Sequence, residues 1–100
     1  MENRERDENI SNDRLEALRY NNLGFEEYKK VNFDDAIAEY TKAIELDPDL
    51  SVAYYNRGTV LYRLGQYNLA VVDLEKAVKL DPKNIEFLTG LEDCRNFSTR

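Results

Sequence analysis

The chain has 100 residues, of which 42% are hydrophobic and 34% charged, and it carries a formal net charge of −6. That is one small domain of soluble composition, and its negative balance works against nonspecific binding to nucleic acid or to an anionic membrane, which needs basic patches. One cysteine and no histidine exclude an internal disulfide and any imidazole-based catalysis or metal site.

Residues 1–13, MENRERDENISND, mix both signs of charge with almost no apolar side chain. Such a segment cannot bury enough surface to offset its ordering entropy, so a disordered tail is expected. It also lacks the apolar stretch of a signal peptide. No run approaches the roughly 20 apolar residues that span a bilayer. A cytoplasmic or nucleocytoplasmic chain is the expectation.

The folded domain is expected over residues 14–100. Its first helix is placed from about Asp13, which stands at capping-box spacing from Glu16. Leu15, Leu18, Tyr20, Leu23, Phe25, Tyr28 and Val31 spread over more than one face, as a helix between neighbours requires. Val31-Asn32 forms a short turn. A second helix follows over Phe33 to Leu46, with Asp34 and Asp35 in the first turn, where the helix dipole favours them. Ala36, Ile37, Tyr40, Ala43, Ile44 and Leu46 form its buried stripe, and Pro48 ends it. Val52 to Leu64 is a third helix closed by Gly65 in a left-handed cap, and Tyr67 to Leu80 a fourth, ended by Pro82. A last helix, about Asn84 to Phe97, puts Phe87, Leu88, Leu91 and Cys94 on one stripe. Gly90 inside it costs about 1 kcal/mol relative to alanine.

The chain repeats itself at a 34-residue shift. Tyr20, Asn22, Gly24, Tyr28, Ala36, Lys42, Ala43, Leu46, Asp47 and Pro48 recur as Tyr54, Asn56, Gly58, Tyr62, Ala70, Lys76, Ala77, Leu80, Asp81 and Pro82. A fixed period of this size marks a stack of helical units. The recurring small residues sit where helix backbones approach closely.

This unit resembles the tetratricopeptide repeat, a helix–turn–helix element with a characteristic set of aromatic, small and proline positions. Tyr20, Leu23-Gly24, Ala36, Tyr40, Ala43 and Pro48 carry the resemblance in the first copy. Tyr54, Gly58, Gly65, Tyr67, Ala70, Ala77 and Pro82 carry it in the second, where Arg57 replaces the leucine and Leu74 the second aromatic. The resemblance implies an all-α fold of antiparallel helix pairs in a short right-handed superhelix. Repeat one would span residues 17–50, repeat two 51–84 and a capping helix 85–97.

The resemblance also implies a non-catalytic interaction module, whose unit-opening helices line a groove for a peptide or partner helix. Helical spacing then selects Asn21, Phe25 and Tyr28, and the period adds Tyr55, Thr59 and Tyr62. Lys29 and Arg63 flank the two rows, Asn56 sits beside the second, and Thr89 and Asp93 extend the wall. Tyr20, Tyr40, Tyr54 and Tyr67 are expected mainly in the core. Many relatives grip an acidic carboxyl terminus with a clamp of Lys, Asn and Arg. Here only Asn56 matches that set, because Asn21, Phe25, Glu86 and Gly90 occupy its other positions.

An enzyme is not expected. Asp34, Asp35, Asp47 and Asp49 are explained by helix ends, and the sequence holds no nucleophile–base pair, metal-ligand cluster or phosphate loop. No cofactor or metal is called for. Cys94 reads as a buried small hydrophobe. The partner is a protein or peptide, and the chain itself a monomer or weak homodimer. The rival reading is a self-associating structural subunit, since two repeats are few for a stable stack.

Overall fold

The computed structural model describes the backbone of residues 2–98 and the side chains of residues 12–98. Five helices follow one another: α1 Glu2–Lys29, α2 Phe33–Leu46, α3 Ser51–Arg63, α4 Tyr67–Leu80 and α5 Ile85–Ser98. α1 pairs with α2 and α3 with α4. α2 packs on α3, and α4 on α5. α1 and α5 touch the two edges of α3, so α1, α3 and α5 share one side of the stack. This is the all-α arrangement of antiparallel helix pairs that the period predicts.

Helix ends agree with the sequence to within a residue or two, except the first. α1 passes through Asp13 without a break, so Asp13 lies inside a helix and caps nothing. The side chains of residues 1–11 lie outside the described residues, and with them most of the expected tail.

Both helix-pair turns close in the same way. The N–H of Asn32 donates to the carbonyl of Glu27 at 2.9 Å and that of Val31 to Tyr28 at 2.9 Å. One period later Gln66 donates to Leu61 at 2.9 Å and Gly65 to Tyr62 at 3.0 Å. This is the Schellman pattern, which needs a left-handed residue after the helix. Gly65 supplies it at φ +80, whereas the first turn uses Val31 at φ +65, a conformation that opposes a β-branched side chain. The turns between repeats use the prolines. Asp47 donates its N–H to Ala43 at 2.9 Å, and the hydroxyl of Tyr54 donates to the carbonyl of Pro48 at 3.0 Å. Asn84 caps α5, accepting the N–H of Phe87 at 3.1 Å on its side-chain oxygen.

Inside, Ala17, Ala43 and Ala53 let α1, α2 and α3 approach, while Ala70, Leu74, Leu91 and Cys94 fill the space between α4 and α5. Gly24 lies under the ring of Tyr40, where a β-carbon would come within 2.6 Å of it, and Gly58 lies under Leu74 at 3.0 Å. The pair is one period apart. It explains why glycine recurs inside two helices despite its propensity cost.

The consensus leucine that Arg57 replaces is exchanged for an ion pair. Arg57 donates from Nε at 2.7 Å and from Nη2 at 2.8 Å to the two carboxylate oxygens of Asp73 on α4, and from Nη1 at 3.1 Å to the hydroxyl of Thr41 on α2. Asp73 is buried, and the bond it accepts raises the arginine's already high pKa. Three helices are joined through one guanidinium, in the two-pronged geometry that lysine cannot reproduce.

Some expectations fail at the ends of the stack. Leu15, Leu18, Leu23 and Val31 of the first unit are exposed, as is Leu88, which the stripe on α5 was expected to bury. α1 and α5 have a packed neighbour on one side only among the described residues, so their other sides keep the leucines in solvent, and Val31 stands out in the turn. Cys94 is buried and donates its thiol to the carbonyl of Tyr67 at 3.5 Å, and burial raises its pKa.

The left-handed valine gives a direct test. Val31→Gly should stabilise the domain by about 1 kcal/mol in urea unfolding, the relief of the left-handed strain minus the entropy glycine adds to the unfolded chain. A loss of stability would show that Val31 is not strained.

Candidate functional site

Two pockets open along the side shared by α1, α3 and α5. The first, about 140 Å³, is lined by Phe25 and Tyr28 of α1, Tyr40 of α2, and Tyr55, Asn56 and Thr59 of α3. The second, about 160 Å³, is lined by Tyr55, Thr59 and Tyr62 of α3, Leu74 of α4, and Gly90 and Asp93 of α5. Tyr55 and Thr59 belong to both, so the pockets form one groove crossing α3. Helical spacing produces the row, because residues three and four apart share a face.

The groove brings together most of the residues predicted for it. Phe25 is half exposed and stacks on Tyr28 at 6.2 Å between ring centres, and Tyr28 stacks on Phe33 at 5.8 Å. Tyr55 stacks on Phe87 at 4.7 Å. Gly90 makes room for it: a β-carbon there would stand 3.1 Å from the Tyr55 ring. The glycine is thus a close approach rather than only a loss of helix propensity. Thr59 donates its hydroxyl to the carbonyl of Tyr55 at 2.9 Å and lines both pockets.

Asn21 is not part of the lining. It is buried between α1 and α3, where its oxygen accepts a hydrogen bond from Nδ2 of Asn56 at 3.0 Å. The asparagine that matches the family clamp is therefore engaged by the chain itself. Lys29 lies over the Phe25 ring at 5.2 Å and pairs with Glu26 at 3.0 Å. Arg63 donates to the hydroxyl of Tyr28 at 2.8 Å. Both cations thus sit at the rim, where α1 and α3 end. Tyr62 meets Tyr67 and Phe97 edge-on, each at 5.5 Å. Thr89 is not among the pocket residues, whereas Asp93 is.

Sequence reasoning missed the groove's floor. Tyr40 and Leu74, one period apart, are pressed against Gly24 and Gly58 and reach through to the pockets. The recurring glycines were the available signal, since each needs a bulky partner. Tyr20, Tyr54 and Tyr67 are partly buried and Tyr40 fully.

Residues 51–84 match the family model described as tetratricopeptide repeat, and residues 24–65 match the one described as TPR repeat. The chain belongs to the tetratricopeptide repeat family. Tetratricopeptide repeats are non-catalytic protein-interaction modules, and the chain is one of them. Solved structures similar to it include the first TPR of Spaghetti (RPAP3) bound to an HSP90 peptide, SRMEEVD. That one is 27% identical with a TM-score of 0.82, over 84% of this chain and 67% of the other. The second TPR domain of human RPAP3, in complex with an HSP70 peptide, is 33% identical with a TM-score of 0.75, over 79% and 66%. The second TPR of Spaghetti, at 23% identity and a TM-score of 0.88, shows the same fold. The chain thus spans about two thirds of the first two domains. Among curated proteins, none matches it by sequence.

The tetratricopeptide floor residue Tyr40 titrates late: burial, and then Tyr28 nearby, push its pKa up to about 12 from the usual tyrosine value near 10. The fold favours the neutral phenol, so this stability is present below pH 10 and is lost as pH rises toward 12. Denaturant melts should show a fall of roughly 2 kcal/mol between pH 10 and 12. Tyr40→Phe should remove most of it, and an unchanged pH profile in that variant would refute the assignment.

Proposed function

We propose that this tetratricopeptide module binds a peptide segment of a protein partner in the groove across α3, against Phe25, Tyr28, Tyr55, Asn56, Thr59 and Tyr62. The observation that carries the reading is the continuity of the two pockets through Tyr55 and Thr59. Rigid aromatic rings supply contact area at low rotamer cost, and a half-exposed phenylalanine beside a tyrosine cluster is the composition of an interface anchor. The RPAP3 domains similar to this chain were solved with chaperone peptides bound, which supports a peptide as the class of ligand.

The family's carboxylate clamp does not fit. Asn56 spends one amide hydrogen on Asn21, and Glu86 and Gly90 stand where a clamp has its further cations. An acidic terminus would meet Glu86 and Asp93 without a cation among them to pair with.

A second reading, end-to-end self-association, has its own observation: Leu15 and Leu18 on α1 and Ile85 and Leu88 on α5 leave both ends of the stack apolar. It concerns the ends and leaves the groove open.

A displayed library of random heptapeptides tests the groove. The wild-type protein should enrich a family of binders, and a Phe25→Ala, Thr59→Arg variant, verified as folded by circular dichroism, should lose at least tenfold in affinity for them, the worth of about 1.4 kcal/mol. A Leu69→Ala, Val72→Ala variant, altered on exposed α4 positions outside the groove, should bind as wild type does. Loss in the second variant and not in the first would place binding elsewhere.

A further inference from the structure

The two walls of the groove differ in charge. On the α1 side, the lining is aromatic; Lys29 pairs with Glu26, and Arg63, at the end of α3, is held at the rim by the Tyr28 hydroxyl. On the α5 side, Glu86 and Asp93 are exposed, and neither enters an ion pair among the described residues. Asp93 lines the second pocket. Glu86 stands next in the chain to Phe87, whose ring stacks on Tyr55, and it helps to raise that phenol's pKa after the larger effect of burial. The one arginine on α5 is drawn away to Glu75 of α4 at 2.8 Å.

The neutral polar groups leave the charge of this wall unopposed. Thr59 donates its hydroxyl hydrogen to the carbonyl of Tyr55 and so does not present that donor to the groove. Asn56 commits one amide hydrogen to Asn21 and keeps the other together with its carbonyl oxygen. The α5 wall therefore presents Asp93, with Glu86 nearby, and neither carboxylate has a counter-cation among the described residues, so a ligand that brings positive charge to that wall is the one it complements.

We infer that the groove selects a peptide carrying a lysine or arginine against the α5 wall and an apolar side chain in the pocket between Phe25 and Tyr55. This rests on the groove being the binding site. Spacing follows from geometry. The pockets lie on either side of α3, about one helix separation of 8–10 Å apart, and an extended peptide rises about 3.3 Å per residue. The apolar and basic residues are therefore about three positions apart.

The heptapeptide library reads this out. Binders of the wild-type protein should share an apolar or aromatic residue about three positions from a lysine or arginine. In fluorescence anisotropy, exchanging that basic residue for glutamate should weaken a selected peptide at least tenfold. In a Glu86→Lys, Asp93→Lys variant, both exposed positions, the preference between the two peptides should reverse. SRMEEVD, the acidic peptide of the RPAP3 complex, should bind the wild type no better than the glutamate-exchanged peptide. Selected peptides that are acidic, or a lysine-for-glutamate exchange without effect in both proteins, would overturn the charge assignment. It would leave the groove standing if Phe25→Ala, Thr59→Arg still abolishes binding. If binders are indifferent to Phe25→Ala, Thr59→Arg as well, or none is enriched, both readings fail together.

Discussion

The groove depends on where α3 lies, and Arg57 fixes that. α3 is the one helix that contributes to both pockets, with Tyr55 and Thr59. On the side away from them, the Arg57 guanidinium grips both oxygens of the buried Asp73 and reaches Thr41. A leucine in its place would fill the space without fixing a register. A two-pronged ion pair has one good geometry, and leaving either partner alone in a buried place is costly. Gly58, next in the chain, lets α3 sit close to Leu74 of the same helix that carries Asp73. Charge and close packing thus locate α3 from adjacent positions.

The first repeat shows what the same scaffold does without this arrangement. One period before Arg57 stands Leu23, half exposed, and one period before Asp73 stands Glu39. The acid is kept and its arginine is not. A carboxylate oxygen of Glu39 is buried with no hydrogen-bond partner among the described residues. The first turn likewise keeps the Schellman bonds but sets Val31 where the second has Gly65. Repeat one therefore carries backbone strain and an unsatisfied acid, while repeat two carries their remedies. Its compensation is Tyr40, a larger floor residue than Leu74, packed wholly inside over Gly24.

The helices and their stacking were legible because they follow from period and patterning. Alanine, glycine and proline positions recur only where backbones touch or a helix must stop. The rims of the groove were legible too, since Phe25, Tyr28, Tyr55, Thr59 and Tyr62 follow from helical spacing. What failed was whatever depends on a partner distant in sequence. Asn21 faces inward because Asn56 lies across from it, and Gly90 serves the ring of Tyr55. Arg57 looked like a departure from the repeat until Asp73 and Thr41 were beside it. The exposed leucines of α1 and α5 were misplaced because a stripe on a terminal helix carries no mark of which side has a neighbour. The capping-box spacing at Asp13 was a local signal that the continuous helix overrides.

The most direct test of α3's anchoring is a double-mutant cycle of Arg57→Leu and Asp73→Leu in urea. Each single substitution should destabilise the domain, and the pair together should cost far less than the sum, with a coupling energy of about 2 kcal/mol. Additivity to within about 0.5 kcal/mol would show that the two side chains do not act as a unit, and that the position of α3 is set by apolar packing alone.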